Sequence, residues 1–360
     1  MKHGSRSFSA VFVAVLSLFV LLNAPPASGH APSKRSSTGK VPQPKGRYEA
    51  QRPRVALRPD KKILSQTTRN SRKPNPSNRT LSSKRQSPKT SPVTAYKAAV
   101  VMNAKTGEIL FKENPREKLL PASLTKMMVT LVAMEKVREG SIHLRDKVRV
   151  SKRASRVGGS QIYLRPGEVL TLEDLLKAVL IKSANDAAVA VAEYIGGTQE
   201  RFVRLMNAHA RMLKMQDTFF TNVHGLPSRD GLDNVSSAYD MAILAKALIK
   251  YPKVLQWSSK PVAKIRSGRY KIASTNKLLR SYRGLDGLKT GYYQKAGFNI
   301  AATAERNNLR LIAVTMGSPS SQARFNATKT LLSRGFSYYQ KKLADSRRAF
   351  RKPMPASDLR

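Results

Sequence analysis

Residues 30–93 carry 17 lysines and arginines against only Glu49 and Asp60, a balance of +15, among Pro, Ser, Thr and Asn with few apolar side chains. Such a stretch cannot bury enough apolar surface to offset the entropy lost on ordering, so it is expected to be a disordered, extended basic tether. Whatever folds must therefore come after it. Tyr48 is its only aromatic residue, which leaves bases nothing to stack on, and no specific nucleic-acid partner is expected. An anionic wall polymer or membrane surface outside the cell suits the charge of residues 30–93 better.

The segment before the tether has three parts: Lys2 and Arg6, an apolar run of 13 residues from Ala10 to Leu22, and the small residues Ala27, Ser28 and Gly29. This is the pattern of a secretory signal over residues 1–29, and the run is short of the roughly 20 residues that span a bilayer. The protein is thus expected to be exported to the periplasm or cell envelope, on the outer side of the cytoplasmic membrane. The chain has no cysteine, and its five histidines show no metal-ligand spacing, so neither a thiolate site nor a zinc hydrolase is expected, and no cofactor.

Ordered composition begins near residue 94. AYKAAVVMN and EILFKEN flank a Gly turn and read as a hairpin. After PASLTK, the apolar positions Met127, Met128, Leu131, Val132 and Val137 predict a helix ending near Gly140. Thr171 and Asp174 resemble a capping box for a helix to about Lys182, and a further helix runs from Asp186 to Gly196. A third runs from Ser237 to Ile249. GLDGLKTGYY, AGFNIAATAE and LRLIAVTMG are three strands, and Gln322 to Gly335 an amphipathic closing helix. Hairpin first, helices in the middle and strands last predict an α+β domain over residues 94–337. Its antiparallel sheet is assembled from both ends of the domain, flanked by helices, with a mostly helical insert. Residues 338–360 form a basic tail, and no second domain is expected after Gly335.

Ser123 and Lys126 stand three positions apart at a predicted helix start, where a serine is commonly a cap and a lysine commonly solvated. The same Ser-x-x-Lys spacing recurs at Ser37 and Ser274, so alone it carries little. On a helix, however, i and i+3 share a face, and a lysine can deprotonate a serine if desolvation or a second cation favours its neutral form. Lys289, followed by Thr290 and Gly291, can supply that cation, together with a hydroxyl and close backbone approach for a substrate carboxylate. Asn185, in SAND at a junction between helices, reads either as an N-cap or as a carboxamide for a substrate peptide bond. Lys105-Thr106-Gly107 precedes Ser123, and Ser274-Thr275-Asn276 lies only 15 positions before Lys289. Only Ser123, Ser183 and Lys289 have the order and separations, 60 and 106 residues, that admit an intervening helical subdomain.

PASLTK, SAND and GLKTGYYQKAG resemble the three active-site motifs of the penicillin-recognising serine enzymes. Their surroundings (LIKSANDAAVAVAEYIGG, HGL, SSAYDMAILAKALI, ARFNATKTLLSRGF) are similar to the low-molecular-mass penicillin-binding D-alanyl-D-alanine carboxypeptidases, over about residues 95 to 337. The resemblance implies a penicillin-sensitive serine acyl transfer on peptidoglycan stem peptides ending in D-Ala-D-Ala, with β-lactam antibiotics as inhibitors. In that scheme Ser123 attacks the carbonyl between the D-alanines and Lys126 is the base. Ser183 relays protons, Asn185 holds the peptide backbone, and Lys289, Thr290 and Arg324 bind the terminal carboxylate. The backbone N–H groups of Ser123 and Tyr292 form the oxyanion hole. Many relatives carry a threonine where this chain has Tyr293. Two other readings stand beside this one: an endopeptidase for D-Ala cross-links using the same chemistry, and an inert wall-binding protein with a polyanion-binding tether.

Overall fold

The computed structural model describes residues 95–228 and 230–350. Residues 1–94, on which the expected secretory signal and basic tether fall, together with 229 and 351–360, lie outside the described residues. In chain order the elements are β1 (Ala98–Asn103), β2 (Ile109–Glu113), α1 (Lys126–Arg138), β3 (Lys147–Arg149), α2 (Lys152–Ser155), β4 (Val169–Thr171), α3 (Leu172–Lys177) and α4 (Asn185–Gly196). They continue through α5 (Gln199–Met212), α6 (Ala238–Leu248), α7 (Pro252–Ser258), β5 (Val262–Ile265), β6 (Tyr270–Ala273), β7 (Leu285–Tyr293), β8 (Gly297–Arg306), β9 (Leu309–Ser318) and α8 (Ser321–Phe350).

The main sheet has the order β2-β1-β9-β8-β7, with every pair antiparallel. β1 lies against β9, Ala99 opposite Thr315 and Val101 opposite Ala313, so the sheet joins both ends of the domain as the strand pattern predicts. Its two faces bury different halves of an apolar run. Ala98, Val100 and Met102 of β1 enter the core shared with α1, α3, α4 and α6, whereas Ala99 and Val101 join Phe325, Leu331, Leu332 and Phe336 of α8. That period-2 division explains why β1 is apolar throughout.

α1 runs through the middle of the helical side. All nine residues from Lys126 to Met134 are buried, which a helix enclosed on every side requires. The closing helix passes Gly335 and ends at Phe350. Gly335 is a contact point rather than a stop: a Cβ there would lie 2.9 Å from Leu311 Cδ1 and 3.1 Å from Val101 Cγ1, so its absence lets α8 lie flat on the sheet. Among the described residues no helix is long and apolar enough to cross a membrane.

Candidate active site

Ser123 lies in a 3-10 turn, Ala122–Thr125, that leads into α1. Ala122 holds a left-handed φ of 49°, an unusual state for a residue with a side chain. Three neighbours fix the turn. Gly225 approaches so closely that a Cβ on it would stand 1.9 Å from Ala122 O. Asn234 Nδ2 donates to Thr125 Oγ1 at 2.9 Å, and Asn299 Nδ2 to Leu120 O at 2.8 Å. Strained backbone held by its surroundings is a feature of functional sites.

One helical turn on, Lys126 is fully buried, and its Nζ donates to Ser123 Oγ at 3.0 Å and to His224 O at 2.6 Å. Burial lowers its pKa to about 7, and the carboxylate of Asp186 opposes that shift. Desolvation therefore supplies what a lysine base needs, and Lys289, expected to act as the second cation, is not among the causes of the shift. Lys289 is itself pushed well below the ordinary lysine value, first by burial and then by the charges of Lys126 and Arg324. His224 also stays neutral: burial and the Lys126 charge lower it to about 4, and its Nδ1 accepts from Leu226 N at 3.1 Å.

The second motif depends on an interrupted helix. α3 is capped by Thr171, whose hydroxyl accepts from Asp174 N at 3.1 Å, but Asp174 does not complete a capping box: its carboxylate accepts from Arg266 N at 2.8 Å. The helix then widens into a π turn, Ala178–Lys182, and Ser183 follows at φ 66°. Wide turns of this kind recur at functional sites, and here the turn throws Ser183 towards Lys289, whose Nζ donates to Ser183 Oγ at 2.8 Å. Asn185 is no N-cap, for Ala184 holds that position and Asn185 opens α4. Its Nδ2 donates to Gly158 O at 2.7 Å, while the buried Oδ1 has no partner among the described residues. A buried acceptor left open is ready for a donor from a ligand. Replacing Asn185 with alanine is expected to lose about 1–3 kcal/mol of transition-state stabilisation, the cost of an unpaired buried amide, read as a fall in kcat/KM. An unchanged kcat/KM would leave the side chain only its contact with Gly158.

The third motif lies on β7, at the edge of the sheet. A Cβ on Gly291 would come within 3.0 Å of Ser123 N and 2.8 Å of Pro121 O, so glycine lets this strand lie against the nucleophile turn. Thr290 Oγ1 shares a hydrogen bond of 2.7 Å with Thr275 Oγ1. Arg324 is buried beneath the strand, its Nη1 donating to Gly291 O at 3.3 Å and Asn299 O at 3.2 Å, and burial lowers its pKa to about 10. Phe298 links Arg324 to Tyr292, facing the guanidinium at 5.5 Å and stacking on the Tyr292 ring at 4.0 Å. The decoy Lys105-Thr106-Gly107 sits in the β1–β2 turn, and the decoy Ser-Thr-Asn lies behind the real motif, with Thr275 bonded to the Thr290 hydroxyl and Asn276 Nδ2 donating to Gly287 O.

All three motifs thus meet in one cluster, bridged by the bond from Lys289 to Ser183 and by the approach of Gly291 to Ser123. Sequence reasoning missed His224 O as a partner for Lys126 and Asp186 as an organiser. The buried Asp186 carboxylate accepts from Ile162 N, Leu164 N and Ala187 N, which ties the loop before α3 to the second motif. For Asp186, its adjacency to Asn185 was the available signal. A half-buried serine paired with a buried lysine, beside a second depressed lysine, can carry out nucleophilic acyl transfer.

Comparison with known proteins agrees with this geometry. A profile described as D-alanyl-D-alanine carboxypeptidase matches residues 84–320. The chain is 41% identical over 247 residues to D-alanyl-D-alanine carboxypeptidase DacF of Bacillus subtilis, covering 68% of this chain and 63% of that protein. It is 36% identical over 256 residues to DacC of Escherichia coli, covering 69% and 63%. The chain therefore spans a little under two thirds of the length of these curated relatives. Among solved structures, penicillin-binding protein 6B of Escherichia coli aligns with a TM-score of 0.63 at 36% identity, covering 66% of this chain and 76% of that one. The ampicillin-bound penicillin-binding protein D2 of Listeria monocytogenes aligns with a TM-score of 0.63 at 33% identity, covering 68% and 99%. From its motifs, its fold and the span of the match, this chain belongs to the D-alanyl-D-alanine carboxypeptidase family.

Proposed function

We propose that the protein is a penicillin-sensitive serine D-alanyl-D-alanine carboxypeptidase that removes the terminal D-alanine from peptidoglycan stem peptides. The observation that carries this reading is the buried Lys126, lowered to about 7, with its Nζ 3.0 Å from Ser123 Oγ. Neutral Lys126 takes the Ser123 proton as Oγ attacks the carbonyl between the two D-alanines. The resulting oxyanion faces the backbone N–H groups of Ser123 and Tyr292. The C–N bond breaks, the leaving amine gains a proton through Ser183, and D-alanine departs from a Ser123 ester. Water then attacks the ester and restores the hydroxyl. Lys289, Thr290 and Arg324 face the terminal carboxylate, and Asn185 Oδ1 accepts from the substrate peptide N–H. A β-lactam amide enters the same steps, but its leaving nitrogen stays tethered to the acyl group.

Incubation with an uncrosslinked pentapeptide and with crosslinked dimers tests the reading. Release of D-alanine from the pentapeptide is expected, and cleavage of dimers alone would replace it with the endopeptidase.

Export and wall retention belong to the same proposal, supported by the family and by the basic residues 30–93. Removing residues 30–93 is expected to spare turnover of small peptides and to weaken retention on isolated cell walls at low salt, with the difference vanishing as salt screens the charges. Equal retention at low salt would reduce that segment to a spacer.

A further inference from the structure

Tyr163 combines a strained backbone with the highest exposure of any large hydrophobic side chain among the described residues. Its φ is 56°, a conformation unfavourable for a bulky residue, and 73% of it is exposed, so packing does not compensate. The strain is imposed from within the second motif. The buried carboxylate of Asp186 accepts from the N–H on either side, Ile162 N at 3.1 Å and Leu164 N at 3.0 Å, and the residue between is turned outwards. The same segment begins at the site, where Gly158 O accepts from Asn185 Nδ2 and Ser160 O from Asn185 N.

Beside the Tyr163 ring lies a cleft of about 760 Å³, lined also by Arg165, Glu168, Arg266 and Tyr270. Its far wall is locked in place. Arg266, at φ 55° on the β5–β6 turn, donates from Nε to Glu168 at 2.8 Å and from Nη2 to Tyr163 O at 3.4 Å, and its guanidinium lies 4.8 Å from the centre of the Tyr270 ring. Arg165 gives its backbone N–H to Glu168 at 2.9 Å, but its guanidinium meets no carboxylate at ion-pair distance among the described residues. The cleft therefore offers two aromatic faces, one carboxylate shared with Arg266, and one guanidinium open to a ligand.

We infer that this cleft, walled by Tyr163 and Arg165, selects the stem-peptide residue that precedes the two D-alanines, and that it takes an aliphatic side chain ending in both an ammonium and a carboxylate. The inference rests on the carboxypeptidase reading above. A substrate lying along Asn185 on the acyl side of the scissile bond is led by the 158–164 segment to Tyr163. The aliphatic stem covers the exposed ring, the terminal carboxylate meets Arg165, and the ammonium meets Glu168 and the tyrosine faces. A lysine side chain would place an ammonium among two guanidinium groups with no carboxylate to offer them.

The test uses the full chain and three peptides ending in X-D-Ala-D-Ala, with X as diaminopimelyl, lysyl or alanyl, and labelled penicillin to report an intact Ser123. The wild type is expected to prefer diaminopimelyl over lysyl by about tenfold in kcat/KM, the size of one charged hydrogen bond, mainly through KM. Arg165→Gln is expected to remove most of that preference and Arg165→Lys to keep part of it. Tyr163→Ala is expected to raise KM for the diaminopimelyl peptide more than for the alanyl one. D-alanine release with a wild-type preference under twofold, or variants that lose all three peptides equally, overturns the inference and leaves the carboxypeptidase reading standing. Absence of both D-alanine release and penicillin labelling is the separate failure of that reading.

Discussion

Ser123→Ala is expected to abolish acylation by a labelled penicillin and release of D-alanine, while leaving the thermal unfolding of the protein nearly unchanged. The hydroxyl is the only atom group removed, and its one described side-chain contact is the hydrogen bond from Lys126 Nζ, which retains His224 O as an acceptor. The turn is held by partners that do not involve the hydroxyl, namely Gly225 against Ala122, Asn234 on Thr125 and Asn299 on Leu120. The backbone N–H of residue 123 also survives, so a substrate can still bind against the oxyanion donors. Loss of a covalent nucleophile should then appear in chemistry and not in folding. A gel of labelled protein, digested to find the modified peptide, gives the result. Normal labelling of the variant, or label recovered on Ser183, would move the nucleophile elsewhere and overturn the roles given to the whole cluster.

The sheet and the three motifs were legible in the sequence because each depends on a local pattern. β1 shows its two buried faces as an unbroken apolar run, and β7, β8 and β9 are separated by short turns at Lys295 and Asn307. The order of Ser123, Ser183 and Lys289 was enough to reject the decoys. Elements whose signal is tertiary were missed. The ladders β3–β4 and β5–β6 have strands of three and four residues, too short for a period, and β5–β6 is held by Arg266 reaching Glu168 and Asp174, far away in sequence. α5 was within reach: Thr198 caps it, and Phe202, Met206 and Ala210 repeat every four positions, yet Arg204 and His209 between them, with Arg201 and Arg211 beside them, obscured the stripe. The π turn before Ser183 left no mark in the sequence, since the helical pattern simply continues through Val179 and Leu180. The carbonyl of His224 could not be read either, because a backbone acceptor has no residue-type signature.

Replacing Lys126 with methionine is expected to slow acylation by about a thousandfold, within the range for loss of a general base, and at the same time to stabilise the fold at low pH. Both effects follow from one buried amine. With a pKa of about 7 the amine is mostly neutral above that value, so kcat/KM for acylation should rise about tenfold per pH unit below 7 and level off above it. The folded-state value lies below the ordinary lysine value of 10.5, so between the two the unfolded chain binds more protons, and stability from this group rises with pH. Below about 7 the folded protein carries a buried charge, and the penalty is fully present. Methionine fills similar space without a charge, and Asp186 keeps its three backbone donors when the lysine is gone. The gain in Tm should therefore be largest near pH 6 and shrink towards pH 10. Denaturation of wild type and Lys126→Met across that interval, beside the pH profile of penicillin acylation, separates the outcomes. A wild-type acylation profile that is flat from pH 5 to 9, or a Tm difference that does not change with pH, would mean that Lys126 does not titrate near neutrality and that another group takes the Ser123 proton.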